Sequence, residues 1–295
     1  MHSKKDMSIV IPAKNEAENL RQLIPSIKTL YPDAEVIIVN DGSSDATKTV
    51  AEDAGATVIT HPYSMGNGAA IKTGARSASG EIIIFMDGDG QHKPEDIERL
   101  VHKVNDGYDM VVGARMLDTH SSVFRRYANI LYNKLASLMT GHKIEDLTSG
   151  FRAARTRHFK KFLYLLPNGF SYPTTSTMAF FRSGLPVGYI PVRAEKRKGK
   201  SHIRILHDGT RFFIIILKIG ALFSPMRFFL PISAGLFCIG LAYYGYTYIN
   251  FNRFTNMSAL LFISSLLTFL IGVISEQISS LHYKGIEDEQ RRTKR

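Results

Sequence analysis

Short apolar runs alternate with longer, helix-like stretches along roughly the first 200 residues of the chain. The runs are bounded by glycine or polar residues, which is typical of buried strands, and the stretches between them have the length and capping residues of helices. Regular alternation of this kind predicts an α/β domain with a mostly parallel sheet and helices on both faces. The predicted strands are residues 8–11, 35–39, 57–60, 81–86 and 109–112, and the predicted helices are residues 16–30, 45–53, 67–79, 94–105 and 121–140.

Two long stretches in the C-terminal part, residues 228–249 and 257–275, contain no charged residue. A helix over the first of them reaches roughly 33 Å, which is enough to cross the hydrocarbon core of a bilayer. The link between them, residues 250–256, is short. The pattern therefore predicts a transmembrane helical hairpin, and the alternative of two buried core helices is disfavoured by such length without a charge.

A third apolar segment, residues 208–224, is interrupted by Arg211 and Lys218. This composition favours an interfacial helix at the membrane surface, which Pro225 is expected to end. The chain is thus predicted to consist of an α/β domain over residues 1–207, an interfacial collar over 208–227, a transmembrane hairpin over 228–280 and a basic tail over 281–295.

The formal net charge is +11, and the basic residues are concentrated between residues 193 and 227 and in the tail. Such a distribution is typical of nucleic-acid binding or of contact with an anionic membrane surface. The charge-free stretches favour the membrane, so no nucleic-acid partner is expected. The link carries one basic residue, Arg253, whereas several basic residues flank the outer ends of the two stretches. This asymmetry predicts that both termini and the α/β domain lie in the cytoplasm.

Neither the N-terminus nor the single cysteine points to secretion. Residues 1–16 hold one short apolar patch, so no cleavable signal peptide is expected. Cys238 lies within the first charge-free stretch, so no intramolecular disulfide and no redox role are expected.

Polar and acidic residues follow three of the predicted strands, at residues 12–16, 40–45 and 87–91. Because the carboxyl ends of parallel strands meet at one edge of a sheet, these segments are expected to converge on a ligand site. Isolated turns that lead into helices are the alternative. Ser44 or Asp45 is expected to cap a helix, which leaves Asp41 free to accept hydrogen bonds from a ligand.

Two carboxylates, Asp87 and Asp89, and one amide, Gln91, follow the most apolar strand. Oxygen ligands of this kind suit a hard divalent cation, Mg²⁺ or Mn²⁺. The three side chains do not complete its coordination, so water or a substrate diphosphate would supply the rest. The competing interpretation is a polar turn before a helix that begins near Pro94.

Small residues dominate the segment 65–80, which also contains Gly66, Asn67 and Lys72. The segment lacks the spacing of a Walker motif and the third glycine of a dinucleotide-binding fingerprint. Two interpretations stay open: close approach of a nucleotide to the start of the helix, or packing of the helix against the sheet.

In combination, these motifs resemble the family 2 glycosyltransferases of the GT-A fold. The resemblance rests on Pro-Ala-Lys-Asn-Glu at 12–16, Asn-Asp-Gly-Ser-Ser-Asp at 40–45, Gly-Asn-Gly at 66–68 and Asp-Gly-Asp-Gly-Gln at 87–91. The further stretch Asp-Leu-Thr-Ser-Gly-Phe-Arg at 146–152 is similar to that of the polyprenyl-phosphate glycosyltransferases, the group of dolichyl-phosphate mannose synthase. Two spans resemble the two-helix bacterial branch of this group. Asn40 stands where many members have an aspartate, which leaves base recognition mainly to Asp41.

The resemblance implies an inverting transfer of a sugar from a UDP- or GDP-sugar to undecaprenyl or dolichyl phosphate, with Mg²⁺ or Mn²⁺, at the inner (cell) membrane. Asp146 would orient the acceptor or the sugar, or else cap the turn at residues 147–150. The implied residues are Pro12, Ala13, Asn15, Glu16, Asp41, Gly66, Asn67, Lys72, Asp87 and Gly88 for the nucleotide; Asp87, Asp89 and Gln91 for the metal; Arg115, Arg125, Arg126, Ser149, Arg152, Lys200 and Ser201 for the acceptor phosphate and the diphosphate; and Asp89, Asp146 and Arg152 for catalysis.

Other classes of function fit the sequence less well. A processive polysaccharide synthase would carry a Gln-x-x-Arg-Trp motif, and the chain has no tryptophan. A non-catalytic membrane scaffold that binds nucleotide sugars or anionic lipids is the alternative from a different class. Small residues in the first span, Ser233, Gly235 and Gly240, would allow close packing of spans and leave a homo-oligomer open.

Overall fold

A computed structural model describes residues 7–115, 123–169, 171–193 and 225–292. These residues form two compact units. The first unit contains the described residues up to Arg193, except for the short segment 137–141, which groups with residues 225–292 in the second unit. All of the described candidate site residues belong to the first unit.

A sheet of seven strands forms the centre of the described part of the first unit. The strands are β1 (Met7–Ala13), β2 (Glu35–Asn40), β3 (Thr57–Thr60), β4 (Ile82–Phe85), β5 (Met110–Arg115), β6 (Arg152–Arg155) and β7 (Val187–Val192). Their order in the sheet is β3-β2-β1-β4-β6-β5-β7. Strand β6 pairs antiparallel with β4 and β5, and the other neighbours are parallel. The prediction of a mostly parallel α/β fold is confirmed.

Helices pack on both faces of this sheet. They are α1 (Ala17–Leu30), α2 (Thr47–Asp53), α3 (Asn67–Ser77), α4 (Asp96–Asn105), α5 (Val123–Thr140), α6 (Thr156–Lys161) and α7 (Tyr172–Arg182), with a 3₁₀ turn at Leu163–Leu165. Helix α1 buries Leu20, Ile24 and Ile27, which lie on one face at helical spacing and join the core formed with β1. Helix α3 lies on the opposite face and comes so close to β1 that a Cβ at Gly74 would lie 2.3 Å from Val10.

The two strands that the pattern did not predict are β6 and β7. Strand β6 reads Arg-Ala-Ala-Arg, which has no apolar run, yet it lies in the middle of the sheet and Arg152 is fully buried. Its place depends on pairing with β4 and β5, which are distant in sequence. Local periodicity does not contain that information.

The second unit is dominated by two long helices, α8 (Pro225–Phe251) and α9 (Asn256–Arg292). Both are long and apolar enough to cross a membrane, over residues Pro225–Phe251 and Asn256–Leu281. The predicted spans lie inside these helices. Pro225 begins α8, in accord with the preference of proline for the first turn of a helix, and the predicted collar at 208–224 lies outside the described residues.

Reciprocal hydrogen bonds join the two long helices. The hydroxyl of Ser233 donates to the carbonyl oxygen of Ser265, and the hydroxyl of Ser265 donates to the carbonyl oxygen of Ser233, each at 2.9 Å. Exchange of hydrogen bonds between small residues is a common way to hold helices together in an apolar medium. At the start of α8, the backbone N–H of Met226 donates to Glu276 Oε2 at 3.2 Å.

Candidate active site

The turns after β1 and β2 are joined to each other at the carboxyl edge of the sheet. Ala13 pairs with Asn40 in the last register position of the two strands. Beyond it, the backbone N–H of Asn15 donates to Ser43 Oγ at 3.0 Å, and the N–H of Ser44 donates to Asn15 Oδ1 at 2.8 Å. The predicted convergence of residues 12–16 with residues 40–45 is therefore present in the structure.

Asp45 serves the first turns of two helices. Its Oδ1 accepts from the N–H of Thr47 at 3.0 Å, and its Oδ2 accepts from the N–H of Ala17 at 3.2 Å. Burial raises the pKa of Asp45, but these hydrogen bonds outweigh it and hold the pKa below its usual value. Asp45 therefore caps α1 as well as the expected α2. Its carboxylate fixes both the turn after β1 and the turn after β2.

Asp41 lies directly after β2 and is only 5% exposed. Its Oδ1 accepts from the N–H of Met65 at 2.7 Å and lies 2.7 Å from Nδ1 of His61. Its Oδ2 accepts from Ser64 Oγ at 2.8 Å and from the N–H of Gly66 at 2.9 Å. The carboxylate therefore holds the segment 61–66 after β3.

This arrangement corrects the expectation that Asp41 is free to accept hydrogen bonds from a ligand. A buried carboxylate must have its oxygens satisfied, and here the chain itself satisfies them. Burial raises the pKa of Asp41, but the hydrogen bonds from His61, Met65, Ser64 and Gly66 lower it below its usual value. In this structure Asp41 positions the segment after β3 and does not present an open carboxylate.

The start of α3 is packed against the chain and does not form an open phosphate loop. The N–H groups of Gly68 and Ala69 donate to the carbonyl oxygens of Gly169 and Asn168, at 3.1 and 2.8 Å. A Cβ at Gly68 would lie 2.0 Å from the carbonyl oxygen of Pro167. The glycine thus permits close approach of backbone to backbone, and the first amides of the helix are already used.

The side chain of Lys72 is also bonded to the chain near residues 166–168. Its ammonium group donates to the carbonyl oxygen of Leu166 at 3.1 Å and to Oδ1 of Asn168. Of the two interpretations of segment 65–80, the structure supports helix packing. Lys72 is thus already engaged by the chain, whereas the assignment of Gly66 and Asn67 to the nucleotide stays a prediction, since Asn67 is exposed.

The acids after β4 lie beside the turn that follows β1. The N–H of Met86 donates to the carbonyl oxygen of Val10. A Cβ at Gly88 would lie 3.3 Å from the carbonyl oxygen of Pro12. Asp87 and Asp89 are half-buried, and Asp89 Oδ1 accepts from the N–H of Gln91 at 3.2 Å. All three acid-bearing strand ends therefore meet at one edge.

The donor set after β4 suits a divalent cation that is shared with a ligand. Two carboxylates and an amide offer hard oxygens, which Mg²⁺ and Mn²⁺ prefer. Within the described ranges, no group of three His, Cys, Asp or Glu side chains could hold a metal by itself. The chemistry of Asp87, Asp89 and Gln91 is compatible with a cation only if water or a bound diphosphate supplies its other ligands, and their assignment to the metal stays a prediction.

His92 was not singled out from the sequence, because only ligand spacing between histidines was considered. Its ring stacks on Phe151 at a centroid distance of 4.8 Å, and its Nε2 lies 3.9 Å from Asp87 Oδ2. Burial lowers the pKa of His92 to about 4, so the ring is neutral at physiological pH. Its adjacency to the acid run was the only signal in the sequence.

Arg115 and Asp146 form the second part of the site, after β5. Arg115 Nε donates to Asp146 Oδ2 at 2.8 Å, and Arg115 Nη2 donates to Asp146 Oδ1 at 3.0 Å. Asp146 also accepts from the N–H groups of Thr148 and Ser149, each at 3.1 Å. Burial raises the pKa of Asp146, but Arg115 and these N–H groups hold it below its usual value.

Asp146 therefore caps the turn at 147–150 and at the same time orients Arg115. Because its oxygens are used by the chain, a direct role in orienting the acceptor or the sugar is corrected to a positioning role. Arg115 keeps 28% of its side chain exposed, and its Nη2 also donates to Thr148 Oγ1 at 2.6 Å. The hydroxyl of Ser149 is buried next to this turn and has no hydrogen-bond partner among the described residues.

Arg152 was assigned to the acceptor phosphate and to catalysis, and the structure contradicts this assignment. The residue is 0% exposed, and its Nη1 donates to the carbonyl oxygen of Pro173 at 2.8 Å and to Ser176 Oγ at 2.7 Å. Its Nη2 donates to the carbonyl oxygen of Ser149. Arg152 is the first residue of the central strand β6, and its side chain lies in the core. There it supports the 146–150 turn through the hydrogen bond to Ser149.

The turn is also held by Tyr172, whose hydroxyl donates to the carbonyl oxygen of Gly150 at 2.9 Å.

Four further candidates are not placed. The side chains of Arg125 and Arg126 in α5 lie outside the described residues, as do Lys200 and Ser201 altogether.

Gly150 brings the 146–150 turn into contact with the acids after β4. A Cβ at Gly150 would lie 2.7 Å from Oδ2 of Asp87 and 3.1 Å from its Oδ1. The turn that carries Ser149 thus lies directly against Asp87, one of the residues predicted to hold the metal.

We expect Gly150→Ala to displace the Asp87 carboxylate, because the new methyl group would occupy the space of its oxygen. The sugar transfer expected from the resemblance should fall about a hundredfold, the effect of misplacing a catalytic group by an ångström. The divalent-metal concentration that gives half-maximal activity should rise. Gly235→Ala adds a methyl group where nothing lies within 4 Å and should behave as the wild type. An unchanged metal dependence in Gly150→Ala would contradict the prediction.

A mostly parallel sheet with acids at one edge defines the first unit as a ligand-binding α/β domain. The profile of the family described as Glycosyl transferase family 2 matches residues 8–163, and that described as GtrB C-terminal hairpin matches residues 224–281. The first match covers more than half of the chain. The protein belongs to glycosyltransferase family 2, which confirms the resemblance drawn from the motifs, and it is an enzyme of glycosyl transfer.

Curated relatives include glycosyltransferase AglJ of Haloferax volcanii, which is 27% identical over 292 residues, 93% of this chain and 94% of that protein. The undecaprenyl-phosphate 4-deoxy-4-formamido-L-arabinose transferase of Proteus mirabilis is 38% identical over 164 residues, 52% of this chain. The match spans about half the length of that transferase, 49%.

Similar solved structures include glucosyl-3-phosphoglycerate synthase of Mycobacterium tuberculosis in complex with Mn²⁺ and UDP-glucose. It has a TM-score of 0.59 and 21% identity, over 73% of this chain and 78% of that one. The same enzyme in complex with UDP has a TM-score of 0.57 and 23% identity, over 73% and 79%. At this level of identity the likeness supports the GT-A type of fold.

Proposed function

We propose that this protein transfers a sugar from a UDP- or GDP-sugar to a polyprenyl phosphate, with inversion at the anomeric carbon. The contact between Gly150 and Asp87 is the observation that carries the proposal, because it joins the turn that holds Arg115 through Asp146 to the acids after β4. A phosphate acceptor and a diphosphate donor are both anionic, so each needs positive charge, here from an arginine and from a bound cation respectively, and the two must lie close together. The substrate named for the Proteus mirabilis relative supports the polyprenyl phosphate acceptor.

On the donor side, the nucleoside would lie along residues 12–16 and 41–45, where the hydrogen-bonded turns after β1 and β2 form a rigid edge. Asp87, Asp89 and Gln91 would hold Mg²⁺ or Mn²⁺ together with the diphosphate. When bound, the cation neutralises negative charge that develops on the departing diphosphate. The Mn²⁺ and UDP-glucose in the Mycobacterium tuberculosis enzyme support this assignment.

On the acceptor side, Arg115 and the buried hydroxyl of Ser149 would bind the phosphate oxygens. Arg125 or Arg126 and the residues Lys200 and Ser201 remain part of this proposal as additional phosphate ligands. The acceptor phosphate is largely dianionic at neutral pH, since a second pKa of this kind lies near ~6. One of its oxygens would form the new bond to the anomeric carbon while the bond from that carbon to the diphosphate breaks, and no general base is required.

The membrane hairpin would keep the enzyme where its lipid acceptor is. Helices α8 and α9 are long and apolar enough to span, and basic residues flank their outer ends. By the positive-inside rule, this distribution supports a cytoplasmic location of the catalytic domain and of both termini.

Lipid-dependent transfer is the direct test. The purified protein, reconstituted in lipid with undecaprenyl phosphate and Mn²⁺ or Mg²⁺, would be given a panel of UDP- and GDP-sugars. We expect one donor to release nucleoside diphosphate and to yield glycolipid in equal amounts, only when the lipid phosphate is present. Metal-dependent nucleotide binding without transfer from any donor would contradict the proposal and would favour a non-catalytic scaffold.

A further inference from the structure

The backbone on both sides of Asp146 is held by one side chain from α5. Nδ2 of Asn133 donates to the carbonyl oxygen of Glu145 at 2.7 Å, and Oδ1 of Asn133 accepts from the N–H of Leu147 at 3.0 Å. A carboxamide offers a donor and an acceptor at once, so it can pair with two peptide groups in the manner of a neighbouring strand. Residue 146 lies between these two hydrogen bonds.

The segment bonded by Asn133, residues 145–147, is also held in place by buried apolar side chains. Leu147 is 1% exposed and Ile144 is 5% exposed, so apolar side chains anchor it on both sides of Glu145 and Asp146. Helix α5 is itself fixed next to Asn133, because Tyr132 is buried and its hydroxyl donates to Thr174 at 3.3 Å. Asn133 therefore transmits the position of a firmly packed helix to the backbone of residue 146.

The position of this backbone matters because Asp146 determines where Arg115 lies. The Asp146 carboxylate pairs with Nε and Nη2 of Arg115 and also accepts from the N–H of Arg115 at 3.2 Å. A shift of residue 146 would move the guanidinium with it. Nη2 of Arg115 also donates to Thr148 Oγ1 at 2.6 Å, so a phosphate would be met by the remaining nitrogen, Nη1, and this charge-assisted hydrogen bond would be lost if the guanidinium moved.

We propose that Asn133 is a positioning residue for the acceptor phosphate, acting through Asp146 and Arg115. This inference rests on the proposed function. It assigns to Asn133 a specific effect on the binding of polyprenyl phosphate. Donor binding depends on residues at the ends of β1, β2 and β4 and should not respond.

Asn133→Asp provides the sharpest test, because it keeps the size and one acceptor oxygen but replaces the donor to Glu145 by a repelled oxygen atom. Loss of one such hydrogen bond should raise the KM for undecaprenyl phosphate roughly fivefold to tenfold. The KM for the nucleotide sugar and the affinity for the free nucleotide should stay within about twofold. Asn133→Ala, which removes both hydrogen bonds, should raise the acceptor KM further.

Lys134→Ala changes the neighbouring exposed residue of α5 and serves as the matched control. A thermal melt of each variant in the same lipid tests whether it is folded. If Asn133→Asp is not folded, Asn133→Ala takes its place in the comparison of KM values. An unchanged acceptor KM, or equal increases in both KM values, would overturn the inference while the wild type still transfers sugar to lipid. Absence of lipid-dependent transfer in the wild type would overturn the proposed function, and this inference with it.

Discussion

Asp89→Asn is expected to abolish sugar transfer and to leave the fold intact. The carboxylate follows β4 and is half-buried, and an asparagine keeps the oxygen that accepts from the N–H of Gln91. The turn therefore survives the substitution, whereas one of the two negative charges available to the cation is lost. A transition state with charge on a departing diphosphate depends on that cation for several kcal/mol, so the rate should fall on the order of a thousandfold.

The measurement is the rate of glycolipid formation over a titration of Mn²⁺, together with a thermal melt in the same lipid. Asp33→Asn removes an exposed carboxylate in the turn between α1 and β2 and should match the wild type in both. Full activity of Asp89→Asn would rule out its role with the metal. A lowered melting temperature in proportion to the lost activity would indicate a structural role instead.

The convergence of strand ends could be predicted because it depends on features that are local in sequence. An apolar run that ends in a polar segment marks the carboxyl end of a buried strand, and parallel strands place such ends at one edge. Residues 12–16, 40–45 and 87–91 met for this reason. The long apolar stretches of α8 and α9 are equally local, since a span is recognised by length and absence of charge.

The fate of individual polar side chains could not be predicted, because it depends on partners that folding brings from elsewhere. Arg152 resembles a phosphate ligand in sequence, but its strand lies at the centre of the sheet and its side chain is enclosed by Pro173 and Ser176. Asp41 accepts from residues about twenty positions further along the chain. The glycines at the start of α3 serve close backbone packing, although the same composition also fits a phosphate loop.

Asp146→Asn should cause the second large effect, a loss of acceptor binding together with a loss of stability. The Asp146 carboxylate only accepts hydrogen bonds. Its Oδ2 accepts from Nε and the backbone N–H of Arg115, and its Oδ1 accepts from Arg115 Nη2, from the N–H and hydroxyl of Thr148 and from the N–H of Ser149. An asparagine in either orientation turns its own NH₂ group toward at least two of these donors. The partly buried guanidinium of Arg115 then loses its counter-charge, and the loss of stability should stay below the roughly 3–5 kcal/mol that breaking a fully buried pair costs.

A matched variant separates the two consequences of Asp146→Asn. Asp109 lies before β5, at the opposite edge of the sheet from Arg115, and its Oδ1 is 2.9 Å from His158 Nδ1 and 3.5 Å from Arg155 Nε. Asp109→Asn also breaks a largely buried ion pair and should lower the melting temperature, but both KM values should stay unchanged. Asp146→Asn should raise the KM for undecaprenyl phosphate about a hundredfold, since a charge-assisted pair that orients a phosphate ligand is worth roughly 2–3 kcal/mol. If the two variants lost only stability, to a similar degree, then Asp146 would be a structural residue and Arg115 would bind phosphate without it.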